Sequence, residues 1–280
     1  MSFLPGSNGG WLVTENPQSP TSELFLFEQQ QFHAEYQAYY KAKRANFFRA
    51  MTEFDGLWDC FQSLNGIWFR EIQDLDESQQ AAQSLPCLMF RYAHSRFLVA
   101  MELGFSCCIG DAYSVLRGGI QAVAQASKIH RQPRLAVVWT EKEQGKEQEN
   151  RFKQVFEADE ESLFPAAHGL AELYRCWKHV SDLGPHSDVR SLGKRLEEAT
   201  AGKSVNWGLH YFEKHPHKLA TYLYVLFQAS FYMERVFYSC FERDLKLDPQ
   251  LERIRAIFQQ QKERQKKYLQ ANYRLEPLGL

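Results

Sequence analysis

A glutamate and an arginine in apolar surroundings are the side chains whose types and spacing best suit chemistry. Glu102 lies within LVAMELGF and Arg117 within YSVLRGGI. If the chain turns near residues 109–110, both lie seven or eight residues from the turn, which brings them level on two antiparallel helices. Because a charge in apolar surroundings needs a partner, we predict a partly buried ion pair. The pair would clamp the helix register, bind a ligand or act in catalysis; the alternative is two separate solvent-facing charges.

Further polar residues extend this candidate ligand site. Asp111, Arg91 and Arg96 are each placed to join the ion pair, and Gly110-Asp111 predicts a turn with Asp111 as the N-cap of the next helix. Two adjacent glycines in a helix are unfavourable, so Gly118-Gly119 predicts a close helix crossing, with a kink or ligand approach as alternatives. The candidate ligand-binding residues are Arg117, Glu102, Asp111, Gln121 and His186.

His186 is the histidine that we single out for function. It follows Gly184-Pro185, and Ser187 is predicted to cap a helix that closes near Ala201-Gly202. The exposed N–H groups of a helix start suit an anion, although a structural or merely exposed histidine is the alternative. No two histidines have the i, i+3 or i+4 spacing of metal ligands on a helix, so no metal is predicted. Nucleophile and nucleotide-loop motifs are also missing, so no cofactor is predicted.

A basic stretch near the carboxyl end offers a different kind of site. KERQKKY places positive charge beside Tyr268, and phosphate contacts combined with exposed aromatic rings are typical of nucleic-acid binding. A solvated final helix is the alternative, and the formal net charge of −1 gives no overall basic field. The candidate nucleic-acid-binding residues are Lys262, Arg264, Lys266 and Lys267.

The elements that must position these residues are predicted to be helices. Apolar residues recur at helical spacing through most of the chain, Pro86, Pro216 and Pro249 suit first turns of helices, and no convincing strand is found. We predict an all-α, multi-helix bundle around a nearly fully apolar helix at about 216–243. Its charge-free part, Leu219–Met233, has fifteen residues and is too short for a membrane span, which needs about 20.

The domain organisation follows from composition. Residues 1–22 are rich in Gly, Pro, Ser and Asn and predict an irregular arm, and residues 23–280 predict a single helical domain. The stretch 141–161 has eight acidic and four basic residues and predicts a solvated helical excursion. Six cysteines without regular spacing indicate reduced core thiols, and the first residues lack the pattern of a signal peptide. These features favour a cytoplasmic protein.

Two segments carry a resemblance to a known group of proteins. DAYSVLRGGIQAVAQASKIHRQPRLAVVW and SDLGPHSDVRS resemble a family of uncharacterised bacterial all-helical proteins with an LLRSxxE-like helix and a later Gly-x-His loop. The family is distantly similar to the HEPN superfamily, which implies a nuclease. Gln121 stands where the family has Glu, so carboxylate chemistry at that position is not implied here. The HEPN spacing of Arg, four to six residues and His is also missing.

These observations favour a protein that is not an enzyme. The aromatic excess suits binding surfaces, so we predict association with itself or another protein, or binding of a small ligand near Arg117. The first alternative is a HEPN-like nuclease or other hydrolase that uses Arg117, Glu102 and His186. The second is nucleic-acid binding through the basic C-terminal helix. No membrane partner is predicted.

Overall fold

A computed structural model of the chain shows a bundle of helices. It describes residues 3–5, 11–13, 34–76, 84–166, 169–183, 196–201, 204–209, 212–245, 249–273 and 275. The helices within these ranges are α1 (Ala34–Glu53), α2 (Asp55–Asp76), α3 (Leu85–Phe105), α4 (Ile109–Arg131), α5 (Leu135–Thr140), α6 (Lys146–Phe156), α7 (Glu160–Leu163), α8 (Leu170–Leu183), α9 (Pro216–Phe241) and α10 (Pro249–Tyr273). The all-α prediction is confirmed.

Helix α9 is the apolar centre of the bundle, as predicted. It runs from Pro216 to Phe241 and packs against α2, α3, α4, α8 and α10. Leu223 and Phe227 on this helix are fully buried. At Gly104 on α3, an added Cβ would lie 2.5 Å from Leu226 Cδ1, so the missing side chain lets α9 approach α3 closely. No helix in the described part of the chain is both long and apolar enough to span a bilayer.

Helices α3 and α4 form the predicted antiparallel hairpin, but its turn lies earlier than expected. The Oγ atom of Ser84 accepts the N–H of Cys87 at 3.4 Å, which caps α3 with Pro86 in its first turn. Cys107 takes a φ of +63°, and Cys108 is the N-cap of α4. The prediction of a turn at residues 109–110 with Asp111 as N-cap is therefore wrong, and Asp111 lies in the first turn of α4.

The two glycines of α4 differ in their surroundings. An added Cβ at Gly119 would lie 3.1 Å from both Arg96 Cβ and Met233 Cε, so the predicted close crossing is confirmed there. At Gly118 the nearest such contact is Tyr92 Oη at 3.9 Å, which is ordinary van der Waals distance. Only the second glycine is needed for packing.

The acidic stretch 141–161 is helical but not wholly solvated. Its helix α6 buries Phe152 and Phe156, while most of its charged residues face water. Lys128 of α4 donates through Nζ to the carbonyl of Val155 at 2.6 Å and to Ser162 Oγ at 2.7 Å. Burial lowers the pKa of Lys128. These bonds fasten α6 and α7 to the bundle.

Two short antiparallel hairpins were not predicted from the sequence. Strand β1 (Phe3–Pro5) pairs with β2 (Trp11–Val13), and β3 (Leu196–Ala201) pairs with β4 (Ser204–Leu209). The predicted helix that closes near Ala201-Gly202 is therefore wrong over Leu196–Ala201, which form a strand, and its predicted cap Ser187 lies outside the described residues. The register of the second hairpin runs from Leu196 opposite Leu209 to Ala201 opposite Ser204.

Candidate functional site

The predicted ion pair between Glu102 and Arg117 does not form. The Oε1 atom of Glu102 accepts Lys43 Nζ of α1 at 2.9 Å, and the Glu102 side chain is 57% exposed. Arg117 is half-buried on α4 and has no carboxylate within ion-pair distance among the described residues. The alternative of two separate charges is the one that the structure supports.

The position of the turn explains the error. With the turn at Cys107, Glu102 lies five residues before it and Arg117 lies ten residues after it. A difference of five residues corresponds to about 7.5 Å along a helix, so the two side chains are not level. The contact between Gly119 and Arg96, twelve residues after and eleven before Cys107, fixes this register.

Arg117 instead faces an aromatic ring of α8. Its guanidinium carbon lies 5.6 Å from the centroid of the Trp177 ring, a cation–π distance. In the part of the chain that the structure describes, the buried Nε of Arg117 has no hydrogen-bond partner, and the same holds for Trp177 Nε1. Ser181 lies one turn after Trp177 on α8, and its buried Oγ likewise has no hydrogen-bond partner within the described ranges. We call Arg117, Trp177 and Ser181 the α4–α8 donor cluster.

Aromatic residues pack around this cluster and contribute no negative charge to it. Trp177 stacks against Tyr174 and lies close to Phe164, with ring centroids 6.1 and 5.8 Å away. One turn before Arg117, the buried Tyr113 donates its hydroxyl to the carbonyl of Tyr222 at 3.3 Å. Burial raises the pKa of Tyr113 well above its usual range, so this hydroxyl stays neutral. Tyr113 therefore adds no negative charge beside Arg117.

The other predicted ligand residues are only partly brought together. Gln121 is half-buried one turn after Arg117, which places it on the same side of α4. Glu102 and Asp111 lie toward α1 instead. Burial raises the pKa values of Tyr39 and Cys108, and the charge of Asp111 adds to both shifts. His186 lies outside the described residues.

The basic stretch on α10 is divided between packing and solvent. Lys262 Nζ lies 3.8 Å from the centroid of the Phe231 ring, and burial lowers its pKa. This side chain is engaged by α9, which leaves it poorly placed for phosphate. The three remaining candidates are exposed, namely Arg264, Lys266 and Lys267.

A buried cluster of three charged residues was not predicted from the sequence. Glu71 of α2 and Glu234 of α9 are 0% and 2% exposed. The Nη2 atom of Arg255 on α10 donates to Glu71 Oε1 and, at 2.8 Å, to Glu234 Oε1. Its guanidinium carbon lies 4.0 Å from the centroid of the Tyr238 ring. A charged residue among the apolar residues of α9, Glu234, is the sequence signal that could have indicated this Glu71–Glu234–Arg255 cluster.

The two carboxylates of this cluster affect each other. Burial raises the pKa of Glu71 well above its usual range, and the charge of Glu234 raises it further, while Arg255 opposes both effects. Burial also raises the pKa of Glu234, with Arg255 again opposing. One of the two carboxyl groups therefore favours its protonated form.

The cysteines show no sign of nucleophilic chemistry. All six are free, five are buried and Cys240 is half-buried. Burial raises the pKa of Cys60 and of Cys176 to about 12, and that of Cys87 to about 11. The reactive thiolate is thus disfavoured at these positions.

Neither the arrangement of possible metal ligands nor comparison with known proteins identifies a further site. Within the described ranges, no three His, Cys, Asp or Glu side chains come together in a way that could hold a metal ion. Comparison of the chain with protein-family models, curated proteins and solved structures found no match.

Proposed function

We propose that this protein is a non-catalytic binding protein whose helical bundle holds a small anionic ligand at the α4–α8 donor cluster. One observation carries the proposal. Among the described residues, the half-buried guanidinium of Arg117 has no carboxylate partner, and the buried donors Arg117 Nε and Trp177 Nε1 have no acceptor.

The chemistry of the cluster favours an anion over other ligands. Guanidinium and indole N–H groups only donate, so the missing partner is an acceptor. An unmade hydrogen bond at a buried donor costs about 1–3 kcal/mol, which a ligand oxygen would recover. Arginine binds carboxylate and phosphate groups with matching geometry. Ser181 lies one turn after Trp177 and Gln121 one turn after Arg117, so both are on the sides of their helices where they could add neutral hydrogen bonds.

The test uses simple anions as probes. Thermal unfolding and calorimetry are measured with inorganic phosphate, acetate and succinate, with chloride at equal ionic strength as the salt control. A ligand at 100 times its Kd stabilises the native state by about 2.7 kcal/mol. We expect stabilisation of the wild type by at least one anion and its loss in Arg117→Met. Arg253→Met, a matched change at an exposed position of α10, should respond like the wild type.

Arg117→Met should fold, because it leaves no buried carboxylate without its partner. The proposal is abandoned if none of the three anions stabilises the wild type. It is also abandoned if Arg117→Met and the wild type respond equally.

Self-association is a second candidate function, supported by an exposed apolar stripe on α3. Leu88, Tyr92 and Val99 are 52%, 49% and 37% exposed, and their spacing places them along one side of the helix. Light scattering after size-exclusion chromatography should show a dimer that Leu88→Lys dissociates. A monomer at all concentrations would dismiss this candidate.

The nuclease and nucleic-acid alternatives stay predictions. The first requires His186, which lies outside the described residues, and Glu102, which faces α1. The second has three exposed basic side chains on α10 in its favour and predicts a steep dependence of affinity on salt.

A further inference from the structure

The Glu71–Glu234–Arg255 cluster contains more negative than positive charge in a part of the bundle that excludes water. Both carboxylates are almost fully buried, and the single nitrogen Nη2 of Arg255 bonds to both. Two ionised carboxylates and one guanidinium would leave a formal charge of −1. An uncompensated charge costs several kcal/mol in such surroundings, and a carboxylate avoids that cost by taking up a proton.

Among the described residues of the three surrounding helices, no cation other than Arg255 lies within ion-pair distance of either carboxylate. On α9, the charge of Arg235 lowers the pKa of Glu234, but the Arg235 side chain is exposed to water. On α10, Lys262 is held over the Phe231 ring. On α2, Asp74 lies 3.7 Å from Arg70. The remaining titratable neighbours are Tyr238 of α9, whose burial raises its pKa, and the exposed Glu252 of α10. The proton is therefore the available source of neutrality.

Helix α10 closes the cluster from one side. It packs along α2 and against α9, and most of its 25 residues are exposed. Its buried apolar residues are Leu251, Phe258 and Leu269. Arg255 lies between the first two of them, so removal of α10 would open the two carboxylates to water.

We infer that Glu71 and Glu234 hold one proton between them, and that this proton fastens α10 to α2 and α9. When α10 separates, both carboxylates become hydrated and lose the proton at ordinary acidity. The docked state thus binds one proton more than the separated state. Linkage then requires that docking weakens as the pH rises, by up to tenfold in the equilibrium constant per pH unit. The pH range of this effect begins near 4.5, the ordinary pKa of Glu, and ends at the raised pKa of Glu71.

Amide hydrogen exchange measures this opening directly. Exchange of the α10 amides is followed from about pH 5 to about pH 9 and corrected for the intrinsic pH dependence of exchange. We expect the opening constant of α10 in the wild type to increase with pH by close to tenfold per unit within this pH range. In Glu71→Gln, which mimics the protonated carboxyl group permanently, the opening constant should be independent of pH.

Two controls make the result specific. Glu263→Gln makes the same chemical change at an exposed position of α10 and should keep the wild-type pH dependence. The amides of α4 should show no comparable increase, since opening is confined to α10. A flat wild-type profile, or the same slope in Glu71→Gln as in the wild type, would overturn the inference.

An infrared measurement on the wild type covers the case in which Glu71→Gln does not fold. At about pH 6, above the ordinary Glu pKa of 4.5, the wild type should show the carbonyl stretch of a protonated carboxylic acid in deuterated buffer. Glu234→Gln, which removes one carboxyl group of the pair, should lose this band. The exposed control Glu263→Gln should keep it. Absence of the band from the folded wild type at this pH would refute the shared proton.

Discussion

Replacement of His94 by glutamine is expected to make the protein more resistant to mild acid. His94 is 8% exposed on α3, and its Nε2 lies 2.8 Å from Oδ1 of Asn65. Its ring packs against Trp68, with ring centroids 5.1 Å apart. Because Asn65 Oδ1 is an acceptor, Nε2 donates, and the ring needs no positive charge to make its hydrogen bond.

The size of the effect follows from the pKa of this group. Burial lowers the pKa of His94 from 6.5 to about 4. Between these values the unfolded chain binds a proton that the native chain does not, so stability is lost as the pH falls. Each pKa unit corresponds to about 1.36 kcal/mol, which gives a loss of about 3 kcal/mol over the whole range.

Glu71 acts in the opposite direction. Its pKa is raised by burial, so above 4.5 the native state holds a proton that the unfolded chain releases. Its contribution to stability is fully present below 4.5 and is lost as the pH rises through the raised value. The effects of His94 and Glu71 therefore oppose each other between pH 4.5 and 6.5.

Urea unfolding at several pH values separates the two effects. From pH 6.5 to about pH 5, the difference in unfolding free energy between His94→Gln and the wild type should shift by about 2 kcal/mol in favour of the variant. Glu71→Gln should shift in the other direction. His217→Gln, the same change at an exposed position, should follow the wild type. Parallel curves for His94→Gln and the wild type would show that His94 is not the buried neutral group described here.

Two further predictions concern packing. Phe227→Ala should lower the unfolding free energy by about 2–5 kcal/mol in urea titrations, because the fully buried ring contacts those of Phe61 and Phe258. An unfolding midpoint like that of the wild type would contradict this burial. Gly119→Ala should destabilise the native state by about 1–3 kcal/mol, because the added Cβ would lie 3.1 Å from neighbouring side chains. Urea titration also measures this change. Gly118→Ala is its matched control and should stabilise by about 0.5–1 kcal/mol, so equal effects at the two glycines would rule out the close crossing.

The helices themselves were predictable because their signals are local. The apolar run from Leu219 to Met233 could only be buried, and Pro216 suits the first turn of the helix that carries it. Hydrophobic spacing also predicted α3 and α4 and the hairpin they form. The pairing of β3 with β4 was missed because a short polar segment gives only a weak strand signal.

The sequence by itself determined that this chain buries a charge-free helix inside an all-helical bundle, because apolar periodicity and proline positions act over a few residues. Only the tertiary structure decided which charges meet. A turn placed at Cys107 separates Arg117 from Glu102 and leaves Arg117 facing Trp177. Glu71 and Arg255 are 184 positions apart in the sequence, yet they meet in the core. Such contacts depend on helix register and on which faces pack together, and neither property is encoded in local spacing.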